Sequence, residues 1–530
     1  MHLPLTPVRC LYRGVDLFGK KEGLVSGERR FTYSQFGERC ERLAAGLQSL
    51  GVQRGDRVAY LSFNTNQLLE GYFGPSLIRA VVMPLNVRLT PAELIQILNH
   101  AGASVLIFEN EFAPMIDAFR SACPEVKAYV ATDSAIPQAD LSYEDLLRKS
   151  RLDRPDWTKF DENEMAELFY TSGSTGTPKG VSLSHRTLYL HALNILASNS
   201  GEGADVDLHT IPLFHANGWG AAQTATMKGR KQVMVRRFEP TSVLRMIQDE
   251  RATHMGMVPV MANALLNSPD LGKFNTASLK EIIMGGAASS PELIDRLEKA
   301  FKCNVIVGYG LTETSPMVSQ SRTKSTVGYQ DEKDRIFHMS MAGWPAVGVE
   351  VRVVDAMMKD VPRDGETMGE IVVRSDNVMD GYFREPQATE AVMSGDWFHS
   401  GDMAVWDNET YLHIVDRKKD IIISGGENIS SIEVEKAIFA HPAVFECAVV
   451  GAPDAKWGEI PVATVVLKPG EKLTDQELTA FLEQRLAKFK LPRAIHFSAQ
   501  QLPKTGTGKI LKREIRDKFW VGKASKVQGA

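Results

Sequence analysis

Over roughly the first 400 residues, short apolar runs alternate with longer amphipathic stretches. The runs at 58–63 (VAYLSF), 104–109 (SVLIFE), 231–238 (KQVMVRRF), 281–286 (EIIMGG) and 304–310 (NVIVGYG) have the length and continuity of strands buried on both faces. Between them the period changes. Phe36, Cys40, Leu43, Leu47 and Leu50 recur at spacings of four and three, which places them on one face of a helix. Thr32 with Gln35 predicts a capping box at its start, and Gly51 predicts its end. Thr90-Pro91-Ala92-Glu93 predicts a second capped helix with proline in its first turn. Alternation of this kind over this length predicts α/β architecture, with parallel or mixed sheets flanked by helices.

From about Ile432 the order becomes helix, strand (AVVGAP), strand (VATVVLKPG), helix, and a strand near Ala494 to Phe497. Thr474 with Glu477 predicts the cap of the later helix. This reads as a small α+β domain of roughly 110 residues. The charged segment Asp416-Arg417-Lys418-Lys419-Asp420 reads as the joint. The expected domains are therefore 1–418 and 419–530, the second mobile relative to the first.

Composition narrows the class. At roughly 100–200 residues per domain, 530 residues suggest about three or four units in one large enzyme-sized chain. Hydrophobic residues at 43% and charged residues at 24% are globular values, which excludes a disordered or fibrous chain. The net charge of −4 shows no basic excess, so neither nucleic acid nor an anionic membrane is an expected partner. Cys10, Cys40, Cys123, Cys303 and Cys447 are odd in number and scattered, which argues against a disulfide framework or a zinc site and fits a reducing, cytoplasmic compartment. No secretory leader, no apolar run of about 18 residues and no terminal targeting address are read.

The densest chemistry lies at 170–179, YTSGSTGTPK. Four hydroxyls and two glycines fall between Thr171 and Gly176, and Lys179 adds a cation. Glycines permit a tight turn, and N–H and hydroxyl groups can surround phosphate oxygens. It is not a Walker A loop, because Pro178 precedes Lys179 and Gly180 follows it. Gly308-Tyr309-Gly310-Leu311-Thr312-Glu313-Thr314 sits at the carboxyl end of an apolar strand, where open α/β sheets bind ligands. There Tyr309 offers a ring for stacking, Thr312 a donor and Glu313 a hard oxygen ligand. Gly285-Gly286-Ala287-Ala288 closes another strand with residues small enough for a flat base. Ser400-Gly401-Asp402 reads by itself as a turn, or as a carboxylate for ribose hydroxyls. Ser424-Gly425-Gly426-Glu427 and the glycine-rich 503–509, which presents Lys509, complete the set.

Taken together and in this order, the segments resemble the adenylate-forming superfamily of acyl-CoA synthetases, aryl-CoA ligases, firefly-type luciferases and nonribosomal adenylation domains. The likeness is greatest to bacterial fatty acyl-CoA synthetases and 3-methylmercaptopropionate-type CoA ligases. It implies ATP, Mg2+ and coenzyme A as cofactors and a small carboxylic acid as substrate. It implies that Thr171, Ser172, Ser174, Thr175 and Lys179 hold the ATP phosphates, with Thr171 and Glu313 at the Mg2+. Gly286, Ala287, Ala288 and Tyr309 match the adenine pocket, Gly310 is a further cofactor-binding position, and Thr312 matches an α-phosphate contact. Asp402 matches the ribose carboxylate, with Arg417 beside it. Lys419 matches the hinge and Lys509 the catalytic lysine. Ser424, Gly425, Gly426 and Glu427 match the loop that approaches the thiol. A homodimer is expected by analogy.

The acid is less clearly written. Segment 211–219, IPLFHANGW, resembles the acyl-pocket entrance. His215 lies at the position beside the bound carboxylate, and Trp219 resembles the gate tryptophan of some long-chain enzymes. Gly256 and its flanking methionines suit a flexible apolar group. Ile423 and Asn428 stand where some long-chain enzymes carry Lys and Trp, and there the chain looks like medium-chain and aryl ligases. The expectation is an aliphatic acid of medium length or longer. An aryl or short-chain acid, a carrier-protein acceptor, a luciferase-like oxygenase and a nucleotide-binding scaffold are the competing readings.

Overall fold

The computed structural model describes residues 2–148, 152–171, 178–198, 205–425, 427–454, 456–504 and 510–521. The chain divides into two units, Met1–Val351 with Val373–Phe398, and Arg352–Val372 with His399–Ala530. The joint expected at 418/419 lies inside the second unit.

Among the described residues, the first unit carries a nine-stranded and an eight-stranded sheet. Both are parallel at the centre and antiparallel at an edge. In the first, His254–Met257, Glu281–Met284 and Asn304–Gly310 run parallel, side by side, and Met317–Gln320 returns antiparallel against the last. In the second, Val81–Pro84, Arg57–Leu61, Ala103–Phe108 and Ala128–Ala131 are parallel. Every residue of Ala103–Phe108 is buried, as expected of a strand with covered faces. At the edge, Met165–Thr171 and Lys179–Ser184 form an antiparallel hairpin.

The predicted caps are present. Helix Tyr33–Ser49 has a complete Thr32/Gln35 capping box and buries Phe36, Cys40, Leu43 and Leu47. Helix Pro91–Ala101 has the Thr90/Glu93 box and ends on left-handed Gly102. One strand stops early: 231–238 is strand only over Lys231–Met234. Beyond it Arg236 leaves to pair with Glu109 at 2.7 Å, and Arg237 with Glu111 at 2.6 Å.

The second unit holds most of a sheet built on Glu350–Val354, Gly369–Arg374, Trp397–Trp406 and Leu412–Arg417, the last two antiparallel. Its other sheet places Val444–Asp454 antiparallel to Gly458–Leu467, with Ala494–Phe497 added parallel. Ile422, Ile429, Val434, Ile438, Val449 and Leu478 form the core beneath it. Helices Ser431–Phe439, Asp475–Glu483 and Lys512–Trp520 accompany this sheet, and the Thr474/Glu477 box caps the second. Among the described residues, no helix is long and apolar enough to cross a membrane.

Candidate active site

In the first unit the edge hairpin sets Thr171 directly opposite Lys179, so the two flank the hydroxyl-rich connection. Ser172, Ser174 and Thr175 lie outside the described residues, as do Gly426 and Lys509. Against Lys179–Ser184 pairs a two-residue strand, Gly381–Tyr382. Its tyrosine ring faces Lys179, whose Nζ stands 4.7 Å from the centroid. The Tyr382 hydroxyl donates to Glu313 Oε1 at 2.9 Å. One aromatic side chain thus joins the cation of the first motif to the carboxylate of the second. The sequence reading did not single out Tyr382.

Glu313 sits on the short 3-10 turn Thr312–Thr314, immediately after strand Asn304–Gly310. Gly310 is needed there for steric reasons, because an added Cβ would coincide with the carbonyl of Pro316. That carbonyl accepts the Leu311 N–H at 3.1 Å and the Thr314 hydroxyl at 2.6 Å, closing the turn. Thr312 and Tyr309 are largely buried. Gly286, Ala287 and Ala288 form an exposed shelf just past strand Glu281–Met284, opened by Gly286 at φ 75°.

The next turn carries His215 and Trp219. His215 precedes the four-residue helical turn Ala216–Trp219. Ala216, Gly218, Trp219 and Gly220 all have positive φ, 44°, 61°, 62° and 77°. Left-handed backbone at a non-glycine residue costs about 1–2 kcal/mol. The turn therefore persists because its surroundings hold it. His191 is one restraint. Its ring fills the space where a Cβ on Gly220 would stand, and its Nε2 accepts the Met317 N–H at 3.3 Å. Burial drives the His191 pKa down to about 3, so the ring is neutral at physiological pH.

The turn lays the Trp219 indole across the ends of two parallel strands. An added Cβ would stand 3.4 Å from it at Gly256, 3.0 Å at Gly285 and 3.8 Å at Gly286. Ile211 touches the same space at Gly256, and Val258 at Gly286. The glycines are thus the recess that admits the indole, and the wall they make with it is apolar. His254, two residues before Gly256, is largely buried with Nδ1 2.8 Å from the Thr253 hydroxyl.

In the second unit, Ser400-Gly401-Asp402 is part of strand Trp397–Trp406 rather than a turn, with Gly401 at φ 70°. The strand register sets Asp402 opposite Arg417, and their side chains meet at 2.7 Å. Lys419 lies on the exposed turn that follows. Ser424 pairs with Glu427 across a tight hairpin. Its Gly425, at φ 61°, donates its N–H to Trp457 O at 2.8 Å, and the indole of Trp457 occupies the place of a Cβ. Trp457 was also missed by the sequence reading.

Asp416 departs most from expectation. It lies in the charged run that reads as the joint, yet it is only 1% exposed. Its Oδ2 accepts the Ser431 N–H and hydroxyl at 2.6 Å each, at the start of helix Ser431–Phe439. Lys512 donates to that Ser431 hydroxyl at 2.5 Å and pairs with Glu435 at 2.8 Å.

The motif geometry agrees with what the chain matches. Residues 12–383 match the AMP-binding enzyme family, and residues 433–509 match the AMP-binding enzyme C-terminal domain. The chain belongs to the AMP-binding enzyme family. A long-chain-fatty-acid–CoA ligase of Thermus thermophilus is 39% identical over 518 residues, covering 96% of this chain and 94% of its own. A feruloyl-CoA synthase of an Amycolatopsis species is 37% identical over 498 residues, covering 93% and 95%. Among solved structures, the anthranilate CoA ligase AuaEII in complex with anthranoyl-AMP has a TM-score of 0.87 at 26% identity, covering 98% of each chain. This AMP-binding enzyme is an AMP-forming acid–thiol ligase, and ATP and coenzyme A are substrates of its family.

Proposed function

We propose that this AMP-binding enzyme activates an aliphatic carboxylic acid of medium length or longer as its acyl-adenylate and passes the acyl group to coenzyme A. The observation that supports a hydrophobic acid is the set of apolar side chains, Trp219, Ile211 and Val258, that close on Gly256, Gly285 and Gly286. Apolar linings favour hydrocarbon, alkyl or aryl, over polar acids.

In the first step a carboxylate oxygen attacks the α-phosphorus of ATP and pyrophosphate leaves. Two anions approach, so the chemistry depends on positioned positive charge. Lys179 and the residues flanking it hold the phosphates, Thr312 the α-phosphate, and Lys509 the charge that develops on phosphorus. The shelf Gly286–Ala288 with Tyr309 takes the adenine. Asp402, fixed by Arg417, accepts from the ribose, and His215 faces the acid. Glu313 and Thr171 are hard oxygen donors suited to Mg2+, and the hydroxyl of Tyr382 holds Glu313 in place. Among the described residues, no group of three or more His, Cys, Asp or Glu side chains could hold a metal alone, so such an ion would be shared with the phosphates. Mg2+ bound there would offset phosphate charge. In the second step the thiol sulfur attacks the acyl carbon, AMP leaves, and the thiol proton is released. Ser424–Glu427 form the loop that approaches the thiol, and the hinge lies at Lys419, between domains 1–418 and 419–530.

The test is pyrophosphate release with ATP and Mg2+ across acids from acetate to palmitate, with methylmercaptopropionate, benzoate and a cinnamate, each with and without coenzyme A. Release with aliphatic acids, then CoA-dependent AMP release, is the expected outcome. The feruloyl-CoA synthase at 37% identity favours a second reading, an aryl acid. Turnover confined to benzoate and the cinnamate would establish that reading and end the first. Pyrophosphate release without a CoA-dependent step points to a carrier-protein acceptor. In Lys509→Ala, adenylation should fall about 10²–10³-fold, with a smaller effect on the thioester step.

A further inference from the structure

We propose that Tyr382 is a positioning residue of the adenylating centre, orienting Glu313 through its hydroxyl and Lys179 through its ring. The inference rests on the assignment of Glu313 as a metal ligand and Lys179 as a phosphate ligand.

The frame around Tyr382 is tied down on both sides. Before it, Met379 N–H donates to Glu313 O at 2.8 Å and Asp380 N–H to Ser182 O at 3.0 Å. After it, Phe383 N–H donates to Gly180 O at 2.7 Å. Its own N–H goes to the Thr389 hydroxyl at 2.8 Å. One end of the 379–383 segment therefore grips the backbone of Glu313, and the other grips the residue beside Lys179. The side chain of Tyr382 repeats that bridge with its hydroxyl and ring.

Each contact has a chemical consequence. A carboxylate whose Oε1 is held by a donor is fixed in rotation and offers a cation its other oxygen in a set direction. Carboxylates that ligate metals depend on such partners, whose loss costs about 10–100-fold in metal affinity. An aromatic face attracts an ammonium and restricts a flexible lysine stem. Tyr382 would thus align the two charges that must act on the same triphosphate, without touching ATP.

The test uses the full-length enzyme and reads metal binding directly. Mn2+ affinity is titrated by electron paramagnetic resonance in the presence of α,β-methylene ATP, for wild type, Tyr382→Phe, Tyr382→Leu and Glu313→Gln. Tyr382→Phe keeps the ring and should weaken Mn2+ about 10–100-fold, leaving metal-free binding of the analogue unchanged. Tyr382→Leu should add a loss of about twofold to fivefold in metal-free analogue binding. In pyrophosphate exchange, raised Mg2+ should rescue Tyr382→Phe and leave Tyr382→Leu partly deficient. If Glu313→Gln weakens Mn2+ and Tyr382→Phe does not, the inference fails alone. If neither weakens Mn2+, the assignment of Glu313 fails first.

Discussion

The two units position their functional groups by different physical means. In the first, the candidate residues sit where parallel strands end, and backbone conformation does most of the placing. Gly310 admits the Pro316 carbonyl, Gly256 and Gly285 admit an indole, and Ala216 and Trp219 adopt left-handed conformations. In the second, Gly425 likewise admits an indole, but the helix start behind the site loop is held by buried charge. Asp416 caps a helix, Ser431 links it to Lys512, and Lys512 neutralises Glu435. A site made by backbone shape tolerates changes in charge but few changes in volume. A site made by buried ions has the opposite tolerance, because a lost partner leaves an uncompensated charge.

Breaking the second unit's network is the most disruptive test of that contrast. Lys512→Met keeps the stem and deletes the charge. Removing one partner of a buried pair costs about 3–5 kcal/mol, read as faster hydrogen exchange in helix Ser431–Phe439. Burial already raises the Glu435 pKa against the pull of Lys512. A carboxyl raised in this way loses stability as pH rises through its folded value. The deficit should therefore be larger at pH 8 than at pH 5. A deficit that does not depend on pH would mean that Glu435 does not carry it.

The first unit answers to acid through buried histidines. His185, His191 and His209 are buried, and burial lowers their pKa values to about 4, 3 and 4. A histidine depressed below 6.5 contributes stability that is complete above pH 6.5 and is lost as pH falls toward its folded value. A fall from 6.5 to about 4 corresponds to about 3 kcal/mol, and the fall of His191 to about 3 corresponds to about 5 kcal/mol. Exchange protection of helix His185–Ser198 should fall steadily between pH 6.5 and 4. A flat profile would show that these rings are solvated or differently paired.

The same division decides what the sequence could disclose. Continuous apolar runs and capping boxes are local signals, and the strands and helices they predict are present. Motifs at strand ends were also legible, since a Gly-Tyr-Gly after NVIV needs no partner to be recognised. Tyr382 was not. It lies in a two-residue strand whose meaning comes from an edge about 200 residues earlier in the chain, too short for any period. The left-handed φ of Ala216 and Trp219 is imposed by tertiary contacts, which no local propensity records. Asp416 was hidden by its neighbours. In a run of five charged residues the composition says solvent, while the fold turns one carboxylate inward onto a helix start. Ser-Gly-Asp misled in the same way, because its glycine serves a strand rather than a turn.

The finest comparison sets two capping boxes against each other. Thr32 accepts the Gln35 N–H at 3.2 Å and Thr474 the Glu477 N–H at 3.2 Å, so the local geometry is the same. The returning side chain differs, being a neutral amide at Gln35 and a carboxylate at Glu477. Substituting alanine for either threonine should cost about 1 kcal/mol. Only the second cost should depend on pH. The Thr474 backbone N–H and hydroxyl hold the Glu477 pKa below its ordinary value. Its stabilisation is present above about pH 4.5 and disappears as pH falls. Thr474→Ala should therefore cost less at pH 3.5 than at pH 7, and Thr32→Ala the same at both, measured by exchange in helices Asp475–Glu483 and Tyr33–Ser49. Equal pH slopes would show that the Thr474 hydroxyl does not act on the Glu477 carboxylate, whose capping bond is then the one from the Thr474 backbone N–H.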